Sequence, residues 1–160
     1  MHCSMLLHAC PLHCYSATIA YGGLAYHLVE TGMNWRQAFG HCAQLGGHLV
    51  VIDDEQEFNF TRALLSAYAA REGVTNAYAW FDGTDYVIEG RWFCPSKQAL
   101  CPYLGWASDQ PNNHGGNEHC LGTQLNIAGG LNDGLCSYPA FPVCEFECDK
   151  SSLSGTSIKH

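Results

Sequence analysis

Five oxygen-bearing side chains between residues 110 and 133 carry the informative chemistry: Gln110 and Asn112 flanking Pro111, then Glu118, then the pair Asn132-Asp133. Calcium is a hard cation that takes roughly 6–8 oxygen ligands from carboxylates, amides, backbone carbonyls and water. The Gln110 and Asn112 amides can point the same way if the Gln110–Pro111 bond is cis, an isomer that only X-Pro bonds reach cheaply. Glu118 and Asp133 bring two negative charges, which neutralise one divalent ion. No cysteine or histidine is needed in the set, so its chemistry favours Ca2+ over zinc.

The elements that must hold these residues can be read from spacing. Residues 94–118 contain three prolines with several Gly, Asn and Ser, and read as a loop. A loop of this length in a single domain is usually functional. Short strands are expected at 120–126, 135–138 and 142–146. Upstream, Asn34 can cap a helix with Trp35, Ala38, Phe39, Cys42 and Leu45 on one face, ended by Gly46-Gly47. A strand is expected at 48–52. Asp53-Asp54 opens a second helix with Phe58, Arg62, Leu65 and Tyr68 or Ala69 on one stripe, closed by Gly73. Its run of acids suits the helix dipole. Strands at 78–81 and 91–93 are joined through the turn residues Asp82-Gly83 and Glu89-Gly90. The outline is α+β: two helices, then a small antiparallel sheet carrying a long loop.

Composition bounds the function. The chain has 160 residues, one domain of ordinary size, and ten cysteines, an even number that suits a disulfide framework in an oxidising compartment. Seven basic residues stand against 15 acidic ones, for a net charge of −8, which disfavours nucleic acid and anionic membrane as partners. Hydrophobic residues make up 47 %, enough for a real core, and no apolar run approaches the ~20 residues of a membrane helix. Residues 1–20 read as an N-terminal extension or an imperfect signal segment, 21–148 as the folded domain, and the serine-rich 149–160 as a loose tail. The expected location is secreted or extracellular. Asn59-Phe60-Thr61 is a glycosylation sequon.

The landmarks from Tyr21 to Phe146 resemble the C-type lectin-like domain family. Trp35 with Cys42 and Gly46-Gly47-His48-Leu49 look like its first helix and the strand after it. Ala79-Trp80-Phe81-Asp82-Gly83 looks like its Trp-Ile-Gly core motif with an insertion, and Glu89-Gly90-Arg91-Trp92 like its central hairpin. Trp106 precedes the binding loop. Asn117-Glu118-His119-Cys120 resembles the Asn-Glu-Asp-Cys signature, Leu131-Asn132-Asp133 the Trp-Asn-Asp signature, and Val143-Cys144-Glu145-Phe146 the final strand. The resemblance implies an α+β C-type lectin-like fold, two helices with small antiparallel sheets and a long calcium-binding loop. It implies disulfides Cys42–Cys144 and Cys120–Cys136, with Cys94–Cys101 as a local extra bridge. Cys3, Cys10, Cys14 and Cys148 would then pair among themselves. It further implies that Gln110, Asn112, Glu118, Asn132 and Asp133 ligate Ca2+ and that the same groups hydrogen-bond two neighbouring hydroxyls of a hexose.

This chain departs from the family pattern at the triplet. Gln110-Pro111-Asn112 mixes the mannose-type Glu-Pro-Asn with the galactose-type Gln-Pro-Asp. Two carboxylates rather than three lower the expected calcium affinity. Two amides whose oxygens face calcium present only N–H donors to a sugar, so one hydroxyl acceptor is missing. The mannose-versus-galactose preference stays open, and a site charge near zero also suits anionic glycans. Leu131 replaces a Trp, and Asn113 and His119 stand where an auxiliary calcium site has acids, so that second site is expected to be absent or weak. His114 is a further candidate ligand contact, able to titrate near neutrality.

The sequence therefore reads as a calcium-dependent glycan-binding protein, with a calcium-independent module for a protein or surface ligand as its rival. Its oligomeric state is open. No nucleophile triad, phosphate loop or zinc helix suggests an enzyme.

Overall fold

The computed structural model describes residues 18–21, 23–127 and 129–147, with side chains from 23 onward. Cys3, Cys10, Cys14 and Cys148, almost all of the N-terminal segment and the serine-rich tail lie outside the described residues.

Helix α1, Trp35–Gln44, starts where the sequence places a cap. Asn34 accepts from the Gln37 backbone N–H, and Gln37 reaches back to the Asn34 N–H, satisfying two donors that the first turn would otherwise leave open. Helix α2, Glu55–Glu72, is capped by Asp54 and stopped by Gly73 in the left-handed conformation, φ 68°.

Among the described residues nine strands accompany the helices: β1 (Thr18–Tyr21), β2 (Leu24–Leu28), β3 (His48–Leu49), β4 (Tyr78–Thr84), β5 (Phe93–Cys94), β6 (Ala99–Leu100), β7 (Glu118–Gln124), β8 (Asn132–Leu135) and β9 (Phe141–Glu147). The backbone order is β1-β2-β9-β4-β5-β6. Strand β3 joins β9, while β7 pairs with both β4 and β8. Strand β9 sits between β2 and β4: it runs antiparallel to β2 and parallel to β4 at Ala79 and Trp80.

The described residues differ from the sequence expectation at several places, among them the strand expected at 91–93, which pairs only as β5 at Phe93–Cys94. The expected 48–52 strand pairs only over His48–Leu49, although Val50, Val51 and Ile52 are all buried. Asp82-Gly83 forms no turn but continues β4, because buried Asp82 accepts the Ser96 N–H and the ladder to β7 shifts register between Trp80 and Thr84. The loop contains a small hairpin, β5 with β6, closed by the Cys94–Cys101 disulfide. The strand expected at 135–138 lies earlier, at β8, where Gly122 faces Asn132.

Two apolar clusters sit on either side of the sheet. One joins α2 through Phe58 and Leu65 to Val50, Val51, Phe81, Leu121 and Leu131. The other lies under α1, where Ala38 and Cys42 meet Leu49, Trp80, Cys144 and Phe146. The Cys42–Cys144 disulfide fastens α1 to β9 across 102 residues, and Cys120–Cys136 fastens β7 to the chain just after β8. Each such bridge contributes about 2–4 kcal/mol by restricting the unfolded chain.

All four tryptophans pack rather than stand open. Trp80 is fully buried and donates to the Met33 carbonyl, Trp35 donates to the Phe81 carbonyl, and Trp92 stacks edge-on against Trp106.

Candidate functional site

Glu118 opens β7 and Asn132-Asp133 open β8, and the two strands are antiparallel neighbours. The loop between them and β6 returns to the same place through its stem. A parallel bridge joins Trp106 to Leu131, with the Ala107 N–H donating to the Leu131 carbonyl at 2.8 Å and the Leu131 N–H to Gly105. Gly130 makes this approach possible, since a Cβ there would lie 2.2 Å from the Ala107 nitrogen. Leu131, fully buried, anchors the strand that presents Asn132 and Asp133.

The loop tip is tied to these strands by hydrogen bonds. The Gln110–Pro111 bond is cis. Asp133 is 1 % exposed, and its two carboxylate oxygens accept the Asn112 N–H at 3.0 Å and the Asn113 N–H at 2.6 Å. Asn112 Oδ1 and Glu118 Oε2 both accept from the His114 N–H, at 3.2 and 3.0 Å. Asn113 Oδ1 accepts from the Glu118 N–H. The structure thereby brings Asn112, Glu118 and Asp133 into one network, flanked in sequence by Gln110 and Asn132. His114 enters it through its backbone, at the start of a short 3-10 turn, with the residue itself exposed.

Two oxygens in this set stand out. Gln110 Oε1 and Asn132 Oδ1 are buried and accept no hydrogen bond among the described residues. The Asn132 amide nitrogen is engaged with the Tyr78 hydroxyl at 3.4 Å, which leaves the oxygen as its open end. A buried amide oxygen without a donor costs about 1–3 kcal/mol, a cost that a hard cation removes. Burial, together with the charge of Asp133, raises the Glu118 pKa above its ordinary value; the His114 N–H and imidazole act against this. A nearby cation would relieve both raising effects. Two carboxylates and three amide oxygens, two of the latter orphaned, therefore fit a divalent hard cation.

A second group was not assembled from the sequence. Asp85, Glu89 and His119 converge: His119 Nδ1 lies 3.0 Å from Asp85 Oδ1 and 3.4 Å from Glu89 Oε2. Asp85 is buried, and its other oxygen holds the Gly90 N–H. The signal available was the position of His119 beside Glu118; its partners come from a loop some thirty residues earlier, brought alongside by the Thr84–Cys120 pairing of β4 and β7.

A third polar group is structural. Glu57 and Glu145, each 4 % exposed, meet where α2 faces β2 and β9. Glu57 accepts from the Tyr26 hydroxyl and the Asp53 N–H, and Glu145 accepts from the Val51 N–H. Burial pushes the Glu145 carboxyl up to about 7; Glu57 adds to the rise, and His48 opposes it.

Comparison with known proteins agrees with this architecture. The family model for the lectin C-type domain matches residues 31–146. Perlucin from Haliotis laevigata is 36 % identical over 115 residues, covering 71 % of this chain and 70 % of that protein. The hemolymph lipopolysaccharide-binding protein of Periplaneta americana is 37 % identical over 136 residues, 82 % of this chain, which spans only 51 % of that protein's length. Among solved structures, a calcium-independent type II antifreeze protein superposes with a TM-score of 0.64 at 20 % identity, covering 84 % of this chain and 94 % of that one.

Proposed function

This chain belongs to the C-type lectin domain family, and we propose that within it the protein is a secreted, calcium-dependent carbohydrate-binding protein rather than an enzyme. The observation that carries this reading is the pair of buried, donorless oxygens, Gln110 Oε1 and Asn132 Oδ1, on residues that flank in sequence the network holding the Glu118 and Asp133 carboxylates. Gln110, Asn112, Glu118, Asn132 and Asp133 would hold the ion. When bound, calcium supplies Lewis-acidic coordination positions for two neighbouring sugar hydroxyls.

The chain's own groups set what those hydroxyls meet. The Gln110 and Asn112 amides turn N–H donors toward a ligand once their oxygens face the ion. Glu118 remains as an acceptor for a hydroxyl proton. One acceptor fewer than a Glu-Pro-Asn site costs about 1–3 kcal/mol for a closed hydroxyl contact, so single sugars bind weakly and several linked sugars bind better. With two carboxylates the loaded site is close to neutral, which admits sulfated or uronic glycans alongside neutral hexoses.

A calcium-independent interaction module is the second reading. It is favoured by the hydrogen bonds from backbone N–H groups to Asn112, Glu118 and Asp133, which shape the loop without an ion. A glycan array probed in calcium and again in chelator separates the two. Binding to hexose-containing glycans that chelator abolishes supports the lectin reading; chelator-insensitive binding, or none to any glycan, contradicts it.

A further inference from the structure

The loop after β4 and the β5–β6 hairpin enclose a groove of about 470 Å3 that the calcium reading does not use. Its walls are Val87 and Ile88 on one side and Phe93 and Leu100 on the other, with Thr84 and Arg91 as polar members. Five of the seven large apolar side chains exposed on the described surface are Tyr86, Val87, Ile88, Phe93 and Leu100. Apolar exposure is therefore concentrated in this one region, as at ligand or partner sites, rather than scattered. Val87 is 90 % exposed.

Both walls are built rigidly. On one side, Phe93 and Leu100 are cross-strand partners, and the Cys94–Cys101 disulfide closes their hairpin. On the other, the loop is pinned by three bonds: Asp85 N–H to the His119 carbonyl, Gly90 N–H to Asp85, and Arg91 N–H to the Ile88 carbonyl. The groove is thus formed before anything enters it, and its volume falls within the roughly 300–1,000 Å3 of small-molecule sites.

Arg91 decides the ligand class. Its guanidinium makes no hydrogen bond or ion pair among the described residues, and the groove lining contains no acid. A cation without a partner among the described residues, beside an apolar trough, is locally complementary to an anion that carries a hydrocarbon chain, against the overall net charge of −8. We propose that this groove binds a single-chain amphiphile with an anionic headgroup, a carboxylate or phosphate, taken as a monomer from solution. The hydrocarbon chain lies along Val87, Ile88, Phe93 and Leu100, and Arg91 pairs with the headgroup. A lipid bilayer is a poorer fit, because docking on an anionic membrane needs a cluster of basic residues that this acidic surface lacks.

The test is calorimetry in chelator, which keeps it independent of the calcium site. Dodecyl phosphate below its micelle concentration is the probe, with dodecyl maltoside and inorganic phosphate beside it. The wild type is expected to bind one dodecyl phosphate saturably and to ignore inorganic phosphate. Arg91→Gln should weaken dodecyl phosphate by about tenfold or more, the worth of a charge-assisted hydrogen bond, while leaving dodecyl maltoside unchanged. Leu100→Asp should abolish binding of both chains. Both substituted side chains are exposed, and near-ultraviolet circular dichroism checks that the fold persists. Absence of saturable binding below the micelle concentration overturns the proposal, as does equal affinity in Arg91→Gln. Binding confined to anionic vesicles, or concentration-dependent dimerisation that Leu100→Asp removes, also overturns it, assigning the face to a membrane or to a second copy.

Discussion

Replacing Glu145 by glutamine should change how stability depends on pH. Glu145 is buried between α2 and the sheet, and its carboxyl titrates at about 7 instead of 4.5, chiefly because burial penalises the anion. Glu57 repels that anion, while His48, Lys97 and the Val51 N–H stabilise it without cancelling the burial. The folded pKa lies above the unfolded one, so the native state holds its proton to higher pH. Stability from the protonated form is fully present below pH 4.5 and is lost as pH rises to about 7. The gap corresponds to about 3 kcal/mol at 1.36 kcal/mol per pH unit. Glutamine carries no charge at any pH, and its amide oxygen can still accept from Val51. Guanidinium unfolding at pH 5, 6, 7 and 8, with disulfides intact and chelator present, reads the effect. The two proteins should be within about 1 kcal/mol at pH 5, with the variant more stable by about 2–3 kcal/mol at pH 8. A variant that keeps the wild-type slope, or a wild type that gains stability across this range while the variant does not, would refute the reasoning.

Other consequences follow from the same packing. Gly130→Ala places a methyl 2.2 Å from the Ala107 nitrogen, so the loop stem must move away from β8. Unfolding should become easier by about 1–3 kcal/mol, and calcium affinity should fall with it; an unchanged calorimetric titration would show that the stem does not position the loop. Arg62 bridges α2 to Thr123 and to the carbonyls of Leu125 and Ile127. Arg62→Ala should cost about 2–3 kcal/mol in the same unfolding assay, and a loss under 0.5 kcal/mol would contradict the bridge. Asn59 is exposed on α2, whereas Thr61 of the same sequon is fully buried and donates to the Phe58 carbonyl. Glycosylation therefore has to precede closure of α2. Protein secreted from a eukaryotic host should carry a glycan that endoglycosidase removes and Asn59→Gln prevents, and an unmodified intact mass would count against it.

How much of this was legible in the sequence depends on the range of the interaction. Both helices could be read because their caps are local: Asn34 with Gln37, Asp54 before Glu55, and Gly73 at the end. The β5–β6 hairpin was hidden because two-residue strands carry no period; the disulfide and cross-strand pairing define it. Asp82-Gly83 reads as a turn in isolation, and only the Ser96 N–H and the neighbouring strands keep it in β4. The five oxygen donors were legible because they cluster along one stretch of chain. Asp85 with His119, and Glu57 with Glu145, were not, because each pair is joined only through strand register or helix docking. The apolar groove was equally invisible, since nothing local to Tyr86-Val87-Ile88 says that the loop turns these side chains outward.

Calorimetric titration of calcium into the disulfide-intact protein, wild type beside Glu118→Gln combined with Asp133→Asn, tests the central claim most directly. One ion should bind the wild type and none the double variant, with near-ultraviolet circular dichroism alike for both in chelator. A wild type that takes up no calcium at millimolar concentration, or a folded double variant that binds as well as the wild type, would contradict the assignment of the ion to Gln110, Asn112, Glu118, Asn132 and Asp133.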